Sequence, residues 1–334
     1  MNPASSTSSS KAETARAYLT RCCVLALIVG VGQVVVCWWR WPGEIPPVVL
    51  ELHELRSQPA DVLYLGDSTL MPSRTERCFD RTPAMLQRAM PDVSVVPMVD
   101  WGCNLTYFSA VAACLEESKI PVGTVVFPIN MRMVAPQLDN SPYRYFDKET
   151  VFLENDYLLF QFAYRPLASF KTFPNHCTRH RDFWALPVMD GEKNLGPAGN
   201  YRQWNEARVP EEYRPRLVMF FYMYSLTPDS HAVVEFGRLL DILNRAGIRA
   251  LPYVTPLDME TGEKYFGDRF RQRIRENIGF FKEAAETRGV QLLDLSECLS
   301  GSYFVRGSIP DEHMYAAGRE VVAERLAEAL RQGP

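Results

Sequence analysis

Five short apolar runs set the strongest constraint on this chain: Val62–Leu65, Val93–Val99, Val122–Pro128, Ile248–Val254 and Val290–Leu295. Each has strand length and none alternates cleanly with polar residues, which is the pattern of strands buried on both faces. Helical stretches separate them. Thr82 to Met90 carries Pro83 near its start, where proline is tolerated. Thr106 to Ser118 follows. Val233 to Ala246 is closed by Gly247, and Asp268 to Arg288 by Gly289. Met314 to Leu330 closes the chain. This alternation predicts an α/β domain, with about five parallel strands and helices on both faces.

A parallel sheet places its ligands beyond the carboxyl ends of its strands. Polar groups follow four of the predicted strands at that edge. The first run breaks into Gly66-Asp67-Ser68 and the second into Asp100-Trp101-Gly102-Cys103-Asn104. The third ends in Pro128-Ile129-Asn130, and Asp311-Glu312-His313 lies beyond the fifth. A serine hydroxyl needs a base to take its proton and a third group to orient that base. Ser68, His313 and Asp311 are the residue types for those roles. The backbone amides of Ser68 and Gly102 and the side-chain amide of Asn130 are candidate donors to an oxyanion.

Upstream lies Cys22 to Trp39, an apolar stretch without a charge. Its length suits a membrane span. Trp38, Trp39 and Trp41 stand at its end, where indoles favour the membrane interface. Lys11, Arg16 and Arg21 precede it and Arg40 follows, so the positive bias places the N-terminus in the cytoplasm and the bulk of the chain outside. A cleaved signal peptide requires small residues at its exit, and Trp38-Trp39-Arg40-Trp41-Pro42 offers none. The expected organisation is therefore a cytoplasmic tail over 1–21, solvated and disordered through its Ser- and Ala-rich first fifteen residues, then an anchor over 22–41. A connector follows over 42–60, with a short helix over Val48–Leu55, and the catalytic-type domain over 61–334. Within that domain, 133–215 reads as an aromatic- and proline-rich insertion, partly helical from Glu149 to Phe170.

Other classes find little support. A net charge of −4 with no basic block argues against nucleic acid. The Gly30-Val31-Gly32 pair lacks the strand–turn–helix context of a nucleotide loop. No Gly-x-Ser-x-Gly elbow surrounds Ser68, and the expectation is no cofactor and no metal. His176 and His180, four apart, read as loop residues rather than ligands, and His53 and His231 stand alone. The eight cysteines form no dense framework, which leaves one or two disulfides open. Asn104-Leu105-Thr106 fits a glycosylation sequon but reads as structural beside Gly102.

The four polar elements together resemble the SGNH (GDSL-type) hydrolase and acyltransferase superfamily. Its pattern places Gly-Asp-Ser after the first strand, Gly after the second, Gly-x-Asn after the third and an Asp/His pair before the last helix. Here these read Gly66-Asp67-Ser68, Gly102, Pro128-Ile129-Asn130 and Asp311-Glu312-His313, across roughly residues 60–330. The resemblance implies a flavodoxin-like sheet, Ser68, His313 and Asp311 as catalytic residues, and Ser68, Gly102 and Asn130 as the oxyanion hole. Two positions depart from it: Pro128 replaces the glycine, and Asp311 precedes His313 by two residues rather than three. The Asp-x-His spacing with an N-terminal anchor is similar to membrane-anchored envelope polysaccharide O-acetyltransferases of the alginate type and to D-alanyl transfer proteins. That likeness implies an extracytoplasmic O-acyltransferase on the bacterial cytoplasmic membrane. Its acceptor would be an envelope glycan, and a multi-pass membrane acyltransferase would supply its acyl group. Two alternatives stay open: an esterase with water as acceptor, and a non-catalytic glycan-binding or scaffold member.

Overall fold

The structure, a computed structural model, describes residues 7–40, 47–72, 76, 78, 80–138, 153, 185–190, 193–198, 210–305 and 307–333. It divides into two units. One holds helix α1 (Thr7–Arg40). Its window Ala15–Gly32 is long and apolar enough to cross a membrane. The helix begins at Thr7, so the stretch read as a disordered tail is helical over much of its length. Ala12, Ala15 and Ala17 are strong helix formers and extend the helix N-terminally of the apolar segment.

The second unit is built on a sheet. Helix α2 (Pro47–Ser57) leads into β1 (Ala60–Gly66). After it come α3 (Thr82–Ala89), β2 (Val95–Val99), α4 (Leu105–Ser118) and β3 (Val122–Ile129). β4 (Pro187–Asp190) and β5 (Lys193–Pro197) pair antiparallel as a separate two-stranded sheet, within the stretch that the sequence reads as an insertion. Next are α5 (Arg214–Tyr222), α6 (His231–Ala246), β6 (Arg249–Val254), α7 (Met259–Phe266), α8 (Asp268–Glu286), β7 (Leu293–Asp294) and α9 (Ala316–Arg331). The main sheet runs β2-β1-β3-β6-β7 and every pairing in it is parallel. Taken in chain order this is 2-1-3-4-5, the flavodoxin-like winding.

Alternate residues of each strand serve opposite faces. Leu63, Leu65, Val125, Phe127 and Ile129 face the larger core with α4, α6 and α8. Phe108, Phe127, Phe236 and Phe281 form a continuous aromatic line through it, with neighbouring ring centroids 6.2, 6.2 and 5.4 Å apart. Val62, Tyr64, Val126 and Tyr253 face the smaller core, against α3 and α9.

One sequence expectation needs correction, and two helices are not announced by the sequence. The fifth strand was expected over Val290–Leu295, but only Leu293 and Asp294 pair, with Tyr253 and Val254. This is a sheet edge, where short strands limit the exposed ladder. Helix α5 lies where no element was expected; Leu217 to Tyr222 are all buried, so the helix shows no polar stripe over that run. Helix α7 is likewise not announced by the sequence, since Gly262 interrupts it, although Asp258 caps it by accepting from Thr261 N at 3.0 Å. The expected helix from Glu149 to Phe170, His176, His180 and Cys177 lie outside the described residues, Leu153 excepted.

Candidate active site

β1 ends at Gly66, where the side chains of Leu70 and Val99 leave little room. A Cβ there would collide with Leu70 Cδ1 and crowd Val99. The chain then enters a single 3-10 turn, Ser68–Leu70, with Asp67 as its N-cap. The Asp67 carboxylate accepts from Thr69 N at 2.9 Å and Thr69 Oγ1 at 2.6 Å, which holds Ser68 at the mouth of the turn. Asp67 is 3% exposed, and its other oxygen accepts from Asn130 Nδ2 at 3.1 Å. The Gly-Asp-Ser turn is thereby tied to the end of β3.

The sequence-expected residues arrive from 245 positions apart. Ser68 Oγ lies 3.1 Å from His313 Nε2, and His313 Nδ1 lies 2.8 Å from Asp311 Oδ1. Asp311 is fully buried and His313 is 18% exposed at its side chain. The loop that carries them is held at several points. Tyr222 OH donates to Pro310 O at 3.2 Å, Asp258 N to Asp311 O at 3.0 Å, and Val305 N to His313 O at 2.9 Å. Pro128 does not disturb this edge. The β1–β3 ladder ends at Val126, so Pro128 falls where β3 pairs with β6 alone.

Gly102 follows β2 with a φ of 76°, the left-handed region that favours glycine. The two turns are adjacent: Gly66 pairs with Val99 in register, and Asp100 N donates to Gly66 O at 3.3 Å. Trp101, between Asp100 and Gly102, is 55% exposed. Asn104 caps α4 by accepting from Tyr107 N at 3.0 Å, in keeping with its structural reading.

Asn130 is buried and its amide is oriented on both sides. Oδ1 accepts from Arg132 N at 3.0 Å and Met133 N at 3.2 Å, which leaves Nδ2 toward Asp67. The Arg132 guanidinium lies 3.9 Å from Asp311 Oδ1 and 5.7 Å from the Phe221 ring centroid.

Sequence reasoning passed over Glu312. Its carboxyl is 1% exposed and faces away from the relay, toward the ends of β3 and β6. It accepts from Met131 N at 2.6 Å, Thr255 Oγ1 at 3.0 Å and Arg132 N at 3.2 Å. Burial pushes it up from 4.5 to about 8, with Asp67 adding to the rise, while Arg132 and the hydrogen bonds from Arg132 N and Thr255 pull it down. No local pattern announces a contact across 181 residues.

The chemistry available here is general-base activation of a hydroxyl by an imidazole whose other nitrogen faces a buried carboxylate. No family model matches the chain, and no curated protein is significantly similar to it. Among solved structures, Est24, described as a carbohydrate acetylesterase from Sinorhizobium meliloti, aligns over 81% of this chain and 98% of its own. The identity is 12% and the TM-score 0.36.

Proposed function

We propose that this chain is a membrane-anchored, serine-dependent O-acyltransferase of the SGNH type, which esterifies hydroxyls of a cell-envelope polysaccharide outside the cytoplasmic membrane. The observation that carries this reading is the unbroken line from Ser68 Oγ through His313 to the buried Asp311, at 3.1 and 2.8 Å.

In the first half-reaction Ser68 Oγ attacks the acyl carbonyl of the donor and His313 Nε2 takes its proton. Asp311 holds the other ring N–H and balances the imidazolium charge. The backbone amides of Ser68 and Gly102 and the second N–H of the Asn130 amide receive the oxyanion. The intermediate collapses to an acyl-Ser68 ester, and His313 passes its proton to the leaving group. In the second half, His313 takes the proton of an acceptor hydroxyl, which attacks the ester. Collapse restores Ser68 with its proton and releases the acylated acceptor.

Anchorage by residues 22–41, with 42–60 as a connector, supports work at the membrane surface beside a multi-pass donor protein. Exposed Trp101 at the same sheet edge supports a sugar ring as acceptor, since an indole face suits apolar ring contact. A second reading, an esterase, has its own support: His313 is 18% exposed, so water reaches the base.

The test is intact mass of the full-length chain in detergent after exposure to p-nitrophenyl acetate, with Ser68→Ala alongside. A lasting acetyl adduct absent from Ser68→Ala supports the transferase, and rapid release of p-nitrophenol without an adduct supports the esterase. With neither, envelope ester content in cells carrying Ser68→Ala decides. Unchanged content sinks both enzyme readings and leaves the non-catalytic one.

A further inference from the structure

We propose that Glu312 is a positioning residue that clamps the loop carrying Asp311 and His313 to the turn carrying Asn130, so that base and oxyanion donor keep one fixed separation. This deepens the reading just given and rests on it.

Three consecutive residues face three ways. Asp311 meets the imidazole, His313 meets Ser68, and Glu312 between them reaches back into the sheet. A carboxyl offers about four lone-pair sites when ionised and about three when protonated. Donors from two strand ends take three of them, two from the Met131–Arg132 backbone and one from Thr255, just past β6. Arg132 N is the hinge of the device. It points at both Glu312 Oε2, at 3.2 Å, and Asn130 Oδ1, at 3.0 Å. The donor that engages Glu312 thus also fixes which way the Asn130 amide is turned. A displacement of the base loop is transmitted through one carboxyl to the oxyanion turn.

The length of the side chain matters more than its charge. Aspartate keeps the carboxyl, protonated or not, but falls one methylene short of all three donors. Glutamine keeps the reach and can leave its oxygen on Met131 N and Thr255, though its NH₂ then opposes Arg132 N–H. The clamp therefore predicts that glutamine is tolerated better than aspartate, the reverse of a purely electrostatic role.

The experiment uses the full-length chain in detergent. It measures the rate at which a fluorophosphonate ester labels Ser68, read by intact mass, together with kcat and KM for p-nitrophenyl acetate. A misplacement of about 1 Å at a reacting centre costs about 100-fold in rate. Glu312→Asp is expected to lose about that much, and Glu312→Gln about tenfold. Thr255→Val, which removes one donor with little change of shape, is expected to lose about threefold. KM should stay near the wild-type value throughout, a split that general destabilisation would not produce. Ser68→Ala labels nowhere in either case. Folded Glu312→Asp and Glu312→Gln that label at the wild-type rate would overturn the clamp and leave the function standing, as would Glu312→Asp outperforming Glu312→Gln. If neither Glu312 variant folds, Thr255→Val decides, and an unchanged rate there sinks the proposal. Wild-type protein that never labels at Ser68 overturns the clamp together with the reading beneath it.

Discussion

Asp67 and Glu312 invite comparison because each stands beside a member of the relay, one before Ser68 and one before His313. Both are almost fully buried, at 3% and 1% exposure, and both reach the end of β3. Their partners differ. Asp67 spends one oxygen on its own turn and only the other on Asn130. Glu312 spends both on backbone and hydroxyl donors far away in sequence. The short carboxylate builds the nucleophile's turn, and the long one joins the base loop to the sheet. A third carboxylate, Asp311, touches the imidazole itself and supplies the scale for the other two.

The largest expected effect is therefore at Asp311. Asp311→Asn should lower kcat by about 10,000-fold through the wrong imidazole tautomer, with little change in folding. The measurement is p-nitrophenyl acetate turnover beside thermal melting. If Asp67→Asn or Glu312→Gln proves equally damaging, the separation between orienting the ring and holding the backbone collapses.

Asp67→Asn comes next. Its new NH₂ must oppose either Thr69 N or Asn130 Nδ2, so a buried donor loses its acceptor at about 1–3 kcal/mol. A lower urea midpoint with a modest loss in kcat is expected. Unchanged stability would mean that the Asp67 contacts are incidental to the turn.

These two carboxylates also show what the sequence could disclose. β1, β2, β3 and β6 are readable because short apolar runs of strand length need no partner to be recognised. Ser68, Asp311 and His313 were readable because each follows a strand on one edge of a parallel sheet. Asp67 acts on Thr69, two residues away, so its role is local. Glu312 is different: its partners are fixed only once β3 and β6 lie side by side. Helix α5 hid for a related reason, since Phe220 and Phe221 are buried by tertiary contacts that leave no helical stripe in the sequence.

Glu312 should leave a mark on the pH dependence of stability. Its native carboxyl titrates near 8 rather than 4.5, chiefly through burial. The groups around it are Arg132 after β3, Asp67 after β1, Tyr224 after α5, whose hydroxyl donates to Met131 O, and Asp311 and His313 in its own loop. Between pH 4.5 and about 8 the native state keeps a proton that the unfolded chain has lost, so stability falls as pH rises through that window. The slope from this group is at most about 1.4 kcal/mol per pH unit. Thr255 can serve both forms. Its hydroxyl lies 3.0 Å from Glu312 Oε1 and 3.3 Å from Ile129 O, so it can donate to the ionised carboxyl or accept from the protonated one. Urea midpoints at pH 5 and 8.5 should therefore diverge between wild type and Glu312→Gln, the wild type losing more at the higher pH. Parallel curves would show that Glu312 is already ionised across the range.

The smallest effect separates the carboxyl contacts from packing between the strands. Tyr64 of β1 and Tyr253 of β6 meet on the smaller core face, their hydroxyls 2.8 Å apart and both rings fully buried. Like Glu312, this pair links β6 to a neighbouring element of the site, but it does not titrate in the same range: burial raises both phenols far above the ordinary value. Two oxygens share one bond, so Tyr64→Phe leaves the Tyr253 hydroxyl without that partner and should cost about 1–2 kcal/mol. The double Tyr64→Phe/Tyr253→Phe variant removes both polar atoms and should cost less than the sum of the singles. Neither hydroxyl bonds the Met131–Arg132 backbone, so kcat should stay within about twofold of wild type. A double-mutant cycle in urea, with turnover measured on the same samples, makes the distinction. If kcat falls with the tyrosines as it does with Glu312, the strand ends respond to any loss of packing between them, and the carboxyl holds no privileged place.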